Sequence, residues 1–369
     1  EDIYRNVSER KKWSDRHLGI TVLASTAEHV NIIKNYKWVS NVIVDYNIKQ
    51  YGGELKEQGF KVFIALPEVL RQRKLKTYSD MTAAINEFDG VMIRNMDELG
   101  YIIENGYSTE GEKVRPKWPD GTYAYTIKKF GVVNRYDLSK EFPAITLRKT
   151  YIRSAIDEIL WIWQKKSNNI HDLNSHIWDS WADEDGSIGK AYGYQMGVKH
   201  VYKEGMMDQV DRVLYDLKNN PYSRRIMTNI YVHQDLHEMN LYPCAYSMTF
   251  NVTKEKGSDK LTLNGILNQR SQDVLAANNW NVCQYAVLLH MLAQVCDMQV
   301  GEFVHVIADA HIYDRHISLI EELISRETHP APKFWLNPEV KDFYQFTPDD
   351  VRLDDYVTGP QIKNIPIAV

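Results

Sequence analysis

Short β-branched runs at 20–25, 41–45 and 61–66 alternate with helix-like segments at 27–36 and 48–59. A polar segment at 77–88 leads into Asp89-Gly90-Val91-Met92-Ile93-Arg94. Strands alternating with helices of this length predict βαβ units on a parallel sheet, so a small α/β unit is expected over residues 18–94. Residues 1–17 are polar and charged, and predict helix or loose order. Gly52-Gly53 lies inside a helix-like segment, and a lone glycine pair is weak evidence for a phosphate loop. The unit therefore reads as an interaction or stabilising appendage rather than a second active site.

The pattern next predicts a helix over 96–104 that stops at Asn105-Gly106, with the glycine in the left-handed conformation. A loop rich in Gly, Lys and Pro follows, reaching Lys117-Trp118-Pro119-Asp120, and strands are expected at 124–130 and 144–147. Over 151–164, Ile152, Ala155, Ile156, Ile159, Leu160 and Trp163 recur at helical spacing and form one apolar stripe. Segments 248–252, 261–267 and 303–307 read as strands. Residues 281–295 are apolar on most sides, as in a buried central helix. On an extended backbone His311 and Tyr313, two apart, point the same way.

At 369 residues, 44% apolar and 25% charged, the composition is that of a globular protein with one large or two smaller domains. A net charge of −5 gives no reason to expect nucleic-acid binding. Cys244, Cys283 and Cys296 make no disulfide framework and fit a reducing compartment. With no membrane-length apolar run and no signal-peptide pattern, the cytoplasm is the expected location.

Candidate chemistry concentrates in two stretches, Tyr242-Pro243-Cys244-Ala245-Tyr246 and Gln269-Arg270-Ser271-Gln272-Asp273. A cysteine attacks as thiolate, and a neighbouring cation lowers its pKa. A lone cysteine is more often a small buried hydrophobe. Glu158 borders the apolar stripe, where a raised pKa suits a proton shuttle, although most helical glutamates are plain surface residues. Trp178 and Trp181 are either core or a flat wall for an aromatic ligand. Arg224 and Arg225, just after a turn, suit a phosphate or are a solvated basic turn. The apolar end Pro366-Ile367-Ala368-Val369 is placed to fold back over a site.

Residues from about 96 to 369 resemble the thymidylate synthase family. The resemblance rests on Glu158-Ile-Leu-Trp, Ile177-Trp178-Asp179-Ser-Trp181, Tyr192-Gly, Ser223-Arg224-Arg225, Pro243-Cys244, Gln269-Arg270-Ser271-x-Asp273, Asn281, Asp309-x-His311-x-Tyr313 and the Pro-x-Ala-x end, in the family's order. It implies an α+β fold with a mixed, twisted sheet in a catalytic domain over 95–369, next to the small α/β unit over 1–94. It also implies a homodimer. By resemblance Cys244 adds to C6 of dUMP, Arg270 activates the thiol and contacts the phosphate, and Glu158 and Tyr192 move protons. Gln269, Ser271, Lys117 and, from the partner subunit, Arg224 and Arg225 belong to the nucleotide site. Asn281 reads the uracil edge, while His311 and Tyr313 hold the ribose. The co-substrate implied is 5,10-methylenetetrahydrofolate, against Ile177, Trp178, Trp181, Leu241, Asp273, Ala277, Trp280, Ile367 and the terminal Val369. No metal is implied.

The departures bear on the product. The family's usual Gly-x-Pro-Phe-Asn is here Ala277-Asn278-Asn279-Trp280-Asn281, and Ala308 replaces another glycine. Asn278 and Asn279 are candidates to hold a water beside the folate, and Trp280 to shift the folate from hydride-transfer geometry. Together with the N-terminal unit, these changes resemble a phage-type deoxyuridylate hydroxymethylase, in which water traps the exocyclic methylene. The alternative is a thymidylate synthase, which completes the reaction with hydride. A catalytically idle nucleotide-binding relative is the reading from another class. Ala245 replaces a common histidine, and Lys117 stands where a phosphate-loop arginine is expected.

Overall fold

The computed structural model describes residues 20–36, 39–65, 88, 90–92, 99–254 and 257–368. The expectations for 1–17, for most of 77–88 and for Val369 fall outside these residues. The chain divides into two units between residues 98 and 99.

In the first unit β1 (Ile20–Ala24), β2 (Val39–Asp45), β3 (Lys61–Ala65) and β4 (Gly90–Met92) pair in parallel in that order. Helix α1 (Ala27–Ile33) starts at Thr26, whose hydroxyl accepts the His29 N–H as an N-cap. A 3₁₀ turn at Tyr46–Tyr51 leads into α2 (Gly52–Glu57). The core is built from Ala24, Val42, Val44 and Val62, which lie in the β-branched runs, with Val30 and Leu55 supplied by the helices. A Cβ on Gly52 would overlap the Phe88 ring, so that glycine serves close packing.

The second unit begins with α3 (Leu99–Asn105) and β5 (Tyr107–Ser108). Gly106 does not take a left-handed conformation; a Cβ there would strike the Ile102 carbonyl and Ile127, and this close approach explains the residue. Strand β6 (Thr126–Asp137) runs well past the expected end at 130, because it pairs along its length with a second long strand. Segment 144–147 is not a strand. Its backbone instead serves Asn279, which takes the Ile145 N–H at 3.2 Å and donates to the Pro143 carbonyl at 2.9 Å.

Helix α4 (Ile152–Leu160) does not continue to 164 as an α-helix, but widens into a π turn at Trp161–Lys165. Buried Trp161 and Trp163 occupy that turn, and the Trp161 indole donates to the Asn169 carbonyl at 3.0 Å. Such turns often mark functional segments.

A hairpin, β7 (His200–Tyr202) and β8 (Gly205–Met207), precedes α5 (Gln209–Asn219). Then come β9 (Met227–Asn229), β10 (Ala245–Thr253), β11 (Thr262–Gln269) and short β12 (Gln272–Asp273). Helix α6 (Asn278–Val295), β13 (Gln299–Tyr313) and α7 (Ile317–Ile324) complete the main body, and a small hairpin, β14 (Lys333–Leu336) with β15 (Val351–Asp354), follows. The large sheet has the order β5-β6-β13-β11-β10-β9, with β12 attached to β13. It is mixed: β11 and β12 run parallel to β13, and the other neighbours are antiparallel.

Apolar α6 packs against this sheet. A Cβ on Gly265 would lie 2.8 Å from Leu289, so the glycine lets helix and sheet approach. The resulting core runs through Phe250, Leu263, Leu267, Leu288, Leu289, Leu292 and Phe303. The α+β expectation for this unit holds.

Candidate active site

The β10–β11 pairing sets the reactive corner. Ala245 lies opposite Gln269, so Cys244 and Arg270 flank the same end of the ladder, and the Arg270 N–H donates to the Cys244 carbonyl at 3.0 Å. The guanidinium is aimed by two backbone acceptors, Pro243 (3.0 Å) and Tyr242 (2.7 Å), which leaves Nη2 3.6 Å from the thiol sulfur. Burial pushes the Cys244 thiol up, and Arg270, the Tyr192 hydroxyl and Arg115 pull it back.

Tyr192 is held by strain. Its φ of 45° and ψ of −105° lie where a side chain with a Cβ rarely goes. A Cβ on the next residue, Gly193, would overlap the Ser167 backbone, so the loop is pinned. The phenol oxygen thereby accepts the Cys244 N–H at 3.1 Å. Burial, with Cys244 next, raises the Tyr192 pKa well above the usual phenol range.

Glu158 is 6% exposed and is met by three neutral donors. Trp178 Nε1 donates to Oε1 at 2.8 Å, while Trp280 Nε1 (2.5 Å) and Gln284 Nε2 (2.7 Å) donate to Oε2. Burial raises its pKa, and the three donors hold the rise in check. A carboxylate whose charge is disfavoured by burial and supported only by dipoles is suited to take up and give back a proton.

His311 and Tyr313 sit on one face of β13 with ring centroids 5.1 Å apart, as the spacing predicts. Asp309 fixes the His311 ring at 2.9 Å from Nδ1. Burial and Asp273 push the Tyr313 hydroxyl up to about 12, while Arg115 opposes them, which places Tyr313, Asp273 and Arg115 in one neighbourhood. Lys117 turns elsewhere, with its ammonium 5.5 Å above the Tyr123 ring. Arg115, exposed in the same loop, is the cation whose charge bears on both Cys244 and Tyr313. Buried Trp118 anchors the loop, donating to Asp314 at 3.1 Å and packing edge-on to Tyr313 at 5.5 Å. Arg224 and Arg225 are exposed on the turn before β9, and their guanidinium groups have no partner among the described residues.

On the opposite side Trp178 forms an aromatic wall with Trp181 (5.8 Å) and Tyr192 (4.8 Å), both edge-on. Leu241 is partly buried against the main core, and Ile177 is exposed. Asp273 receives the Leu275 and Ala276 N–H groups, each at 3.0 Å, and lies 3.5 Å from His316. His316 also donates to the Pro366 carbonyl at 2.7 Å, so the C-terminal segment carrying Ile367 does fold back. Ala277 is an ordinary residue at φ −118° before α6.

The substituted segment is used in a way that the sequence does not reveal. The Asn279 oxygen is taken by Thr150 (2.7 Å) and the Ile145 N–H, and its nitrogen by Pro143, which leaves little for a pocket water. Trp280 spends its N–H on Glu158. Asn278 is 2% exposed, and its side-chain oxygen has no protein partner. Arg115, Gln284, His305 and His316 all escape sequence reading. Only Arg115, an arginine before proline in a basic loop, carries a signal there.

The thymidylate synthase family profile matches residues 95–369. Thymidylate synthases of Bacillus subtilis subsp. natto and of Bacillus phage phi3T are each 45% identical over 266 residues, covering 71% of this chain and 93% of the relative. The solved structure of thermostable thymidylate synthase A from Bacillus subtilis aligns with a TM-score of 0.69 and 42% identity, over 74% of this chain and 98% of that one. With a thiol, an arginine, a buried carboxylate and an aromatic wall so arranged, and likeness of this extent, the chain belongs to the thymidylate synthase family.

Proposed function

We propose that this chain makes dTMP, completing with hydride the one-carbon transfer to C5 of dUMP that its family catalyses with 5,10-methylenetetrahydrofolate. The observation that carries the chemistry is the Cys244 sulfur 3.6 Å from Arg270, across from a carboxylate held only by neutral donors. Cys244 adds as thiolate to C6, which turns C5 into a nucleophile. Arg270, with Arg115 nearby, favours the thiolate and receives the phosphate. Glu158 exchanges protons at the pyrimidine, and the phenol of Tyr192 is placed beside the sulfur to assist proton loss from C5. The folate supplies the carbon unit and, in a synthase, the hydride. The residues present suit it: indoles for a flat ring, and Asp273 with a cation, Arg148, close enough to feel its charge.

Hydride completion is supported by the relatives' names and by the fates of Asn279 and Trp280, whose polar groups serve packing and Glu158 rather than a water. One observation favours the hydroxymethylase reading. The buried, unpartnered oxygen of Asn278 is the kind of group that holds a water. Incubation with dUMP and methylenetetrahydrofolate separates the readings. Dihydrofolate absorbance with dTMP is the expected result, whereas hydroxymethyl-dUMP without dihydrofolate would establish the other enzyme.

A homodimer completes the site in this proposal. Met227, Thr249 and Ile266 lie in register across β9, β10 and β11, and Met227 and Ile266 are exposed, as a sheet face awaiting a second copy would be. Arg224 and Arg225 are then free to reach the partner's phosphate. The three cysteines are free, in keeping with a reducing cytoplasm. No helix among the described residues is long and apolar enough to cross a membrane.

A further inference from the structure

An asparagine does not by itself distinguish uracil from cytosine. Its amide can present N–H to O4 and oxygen to N3–H of uracil, or rotate by half a turn and present the reverse to cytosine. Selectivity needs something that forbids the rotation.

Asn281 sits inside a chain of side-chain hydrogen bonds. His305 Nε2 lies 2.8 Å from Gln269 Oε1; Gln269 Nε2 lies 3.3 Å from Asn281 Oδ1; Asn281 Nδ2 lies 3.0 Å from Gln284 Oε1; and Gln284 Nε2 lies 2.7 Å from Glu158. Each amide can in principle face either way, because oxygen and nitrogen are nearly the same size. Two backbone carbonyls remove the freedom. Gln269 Nε2 also faces the Ser271 carbonyl at 3.1 Å, and Gln284 Nε2 faces the Ala155 carbonyl at 3.1 Å. A carbonyl only accepts, so both nitrogens are placed.

The direction of every other link then follows. Gln269 must show its oxygen to His305, so His305 carries its proton on Nε2. The other ring nitrogen is buried without a partner, which an unprotonated nitrogen tolerates better than an N–H would. Full burial pushes the His305 pKa down to about 3, so the ring is neutral and has a single donor. At the centre Asn281 is gripped from both sides, oxygen toward Gln269 and nitrogen toward Gln284. One N–H and one lone pair remain, with no other protein partner among the described residues, on a half-buried side chain.

We infer that Gln284 directly, and His305 through the Gln269 oxygen it donates to, adding to the hold of the Ser271 carbonyl, are positioning residues for base selectivity that keep the Asn281 amide in the orientation that accepts uracil and refuses cytosine. The inference rests on the proposed reading of Asn281 as the residue that faces the pyrimidine. It goes further by locating the discrimination in residues that do not touch the base. It also ties base recognition to the proton-handling carboxylate, since the last link ends on the Glu158 oxygen that Trp280 shares.

The test is calorimetric binding of dUMP and dCMP to the full chain, without folate, read as the ratio of the two Kd values. His305→Phe removes the donor at one end and Gln284→Leu the acceptor at the other. Loss of one buried hydrogen bond should cut the preference for dUMP roughly tenfold in each. His305→Gln, whose amide nitrogen reaches about as far as Nε2, should restore most of it. A merely structural role would weaken both nucleotides alike and leave the ratio in place. An unchanged ratio in both variants, with dUMP still bound, overturns the inference and leaves the proposed function standing. Absence of dUMP binding by the unaltered protein overturns both. Should His305→Phe fail to fold, Gln284→Leu decides from the other end of the chain.

Discussion

The thiol corner and the carboxylate pocket solve opposite problems. At Cys244 burial disfavours the charged form and raises the thiol pKa, and fixed cations, Arg270 first, offset part of that rise. At Glu158 burial also disfavours the charged form, but the relief comes from three neutral N–H groups. A nucleophile has to be charged at the start of the reaction, so a permanent cation beside it is useful. A proton carrier has to change charge, and a cation would trap it in one state. The difference shows that a desolvation penalty is met by charge where one state is wanted and by dipoles where two are.

The sharpest way to break this contrast is to remove the sulfur. Cys244→Ala should lower turnover by at least about four orders of magnitude, because no other group takes over nucleophilic addition. Calorimetry should still find dUMP bound, and an active Cys244→Ala protein would end the covalent reading. Next in size is Glu158→Gln. It should cost roughly 10²–10⁴ in kcat, the usual worth of a general acid or base. A loss confined to KM would show that the carboxylate only binds.

Trp280→Phe tests the dipole argument directly. Loss of one of three donors raises the carboxyl pKa further. The acid limb of the kcat/KM profile, which requires the ionised form, should move to higher pH by on the order of one unit. A profile that keeps its position and loses only height would assign Trp280 to packing. The smallest expected effect lies at His316. Burial opposes its charge, but Asp273, the Pro366 carbonyl and Asp314 outweigh burial and raise its pKa. The pair with Asp273 should therefore stabilise the fold fully below the ordinary histidine value and fade as pH rises through the raised one. Urea denaturation of wild type and Asp273→Asn should differ by about 1 kcal/mol near pH 6 and converge near pH 9. A gap of equal size at both would rule out the ion pair as its source.

Legibility followed the range of the interactions. The parallel strands of the first unit, the α4 stripe and the apolar α6 were readable because each is set by a local period. The misread segments depend on distant partners: β6 runs on to 137 because β13 is there to pair with it, and 144–147 stays irregular because Asn279 holds its backbone. Lys117 and Arg115 show the same limit at finer scale. Both are cations in one loop, and only the folded structure shows that Lys117 lies over Tyr123 while the charge of Arg115 bears on the sulfur.

The sequence by itself determined the inventory: a cysteine after proline, an arginine at the end of the next strand, a carboxylate on an apolar helix, an asparagine at the head of a buried one. Composition and order along the chain carry that much, and with it the reaction class. What only the tertiary structure decided is direction. Whether Asn279 offers its amide to a water or to a loop, and which way the Asn281 amide faces, depends on carbonyls and side chains far away in sequence. An amide is symmetrical enough to fit either way until a group that can only accept, or only donate, is brought against it.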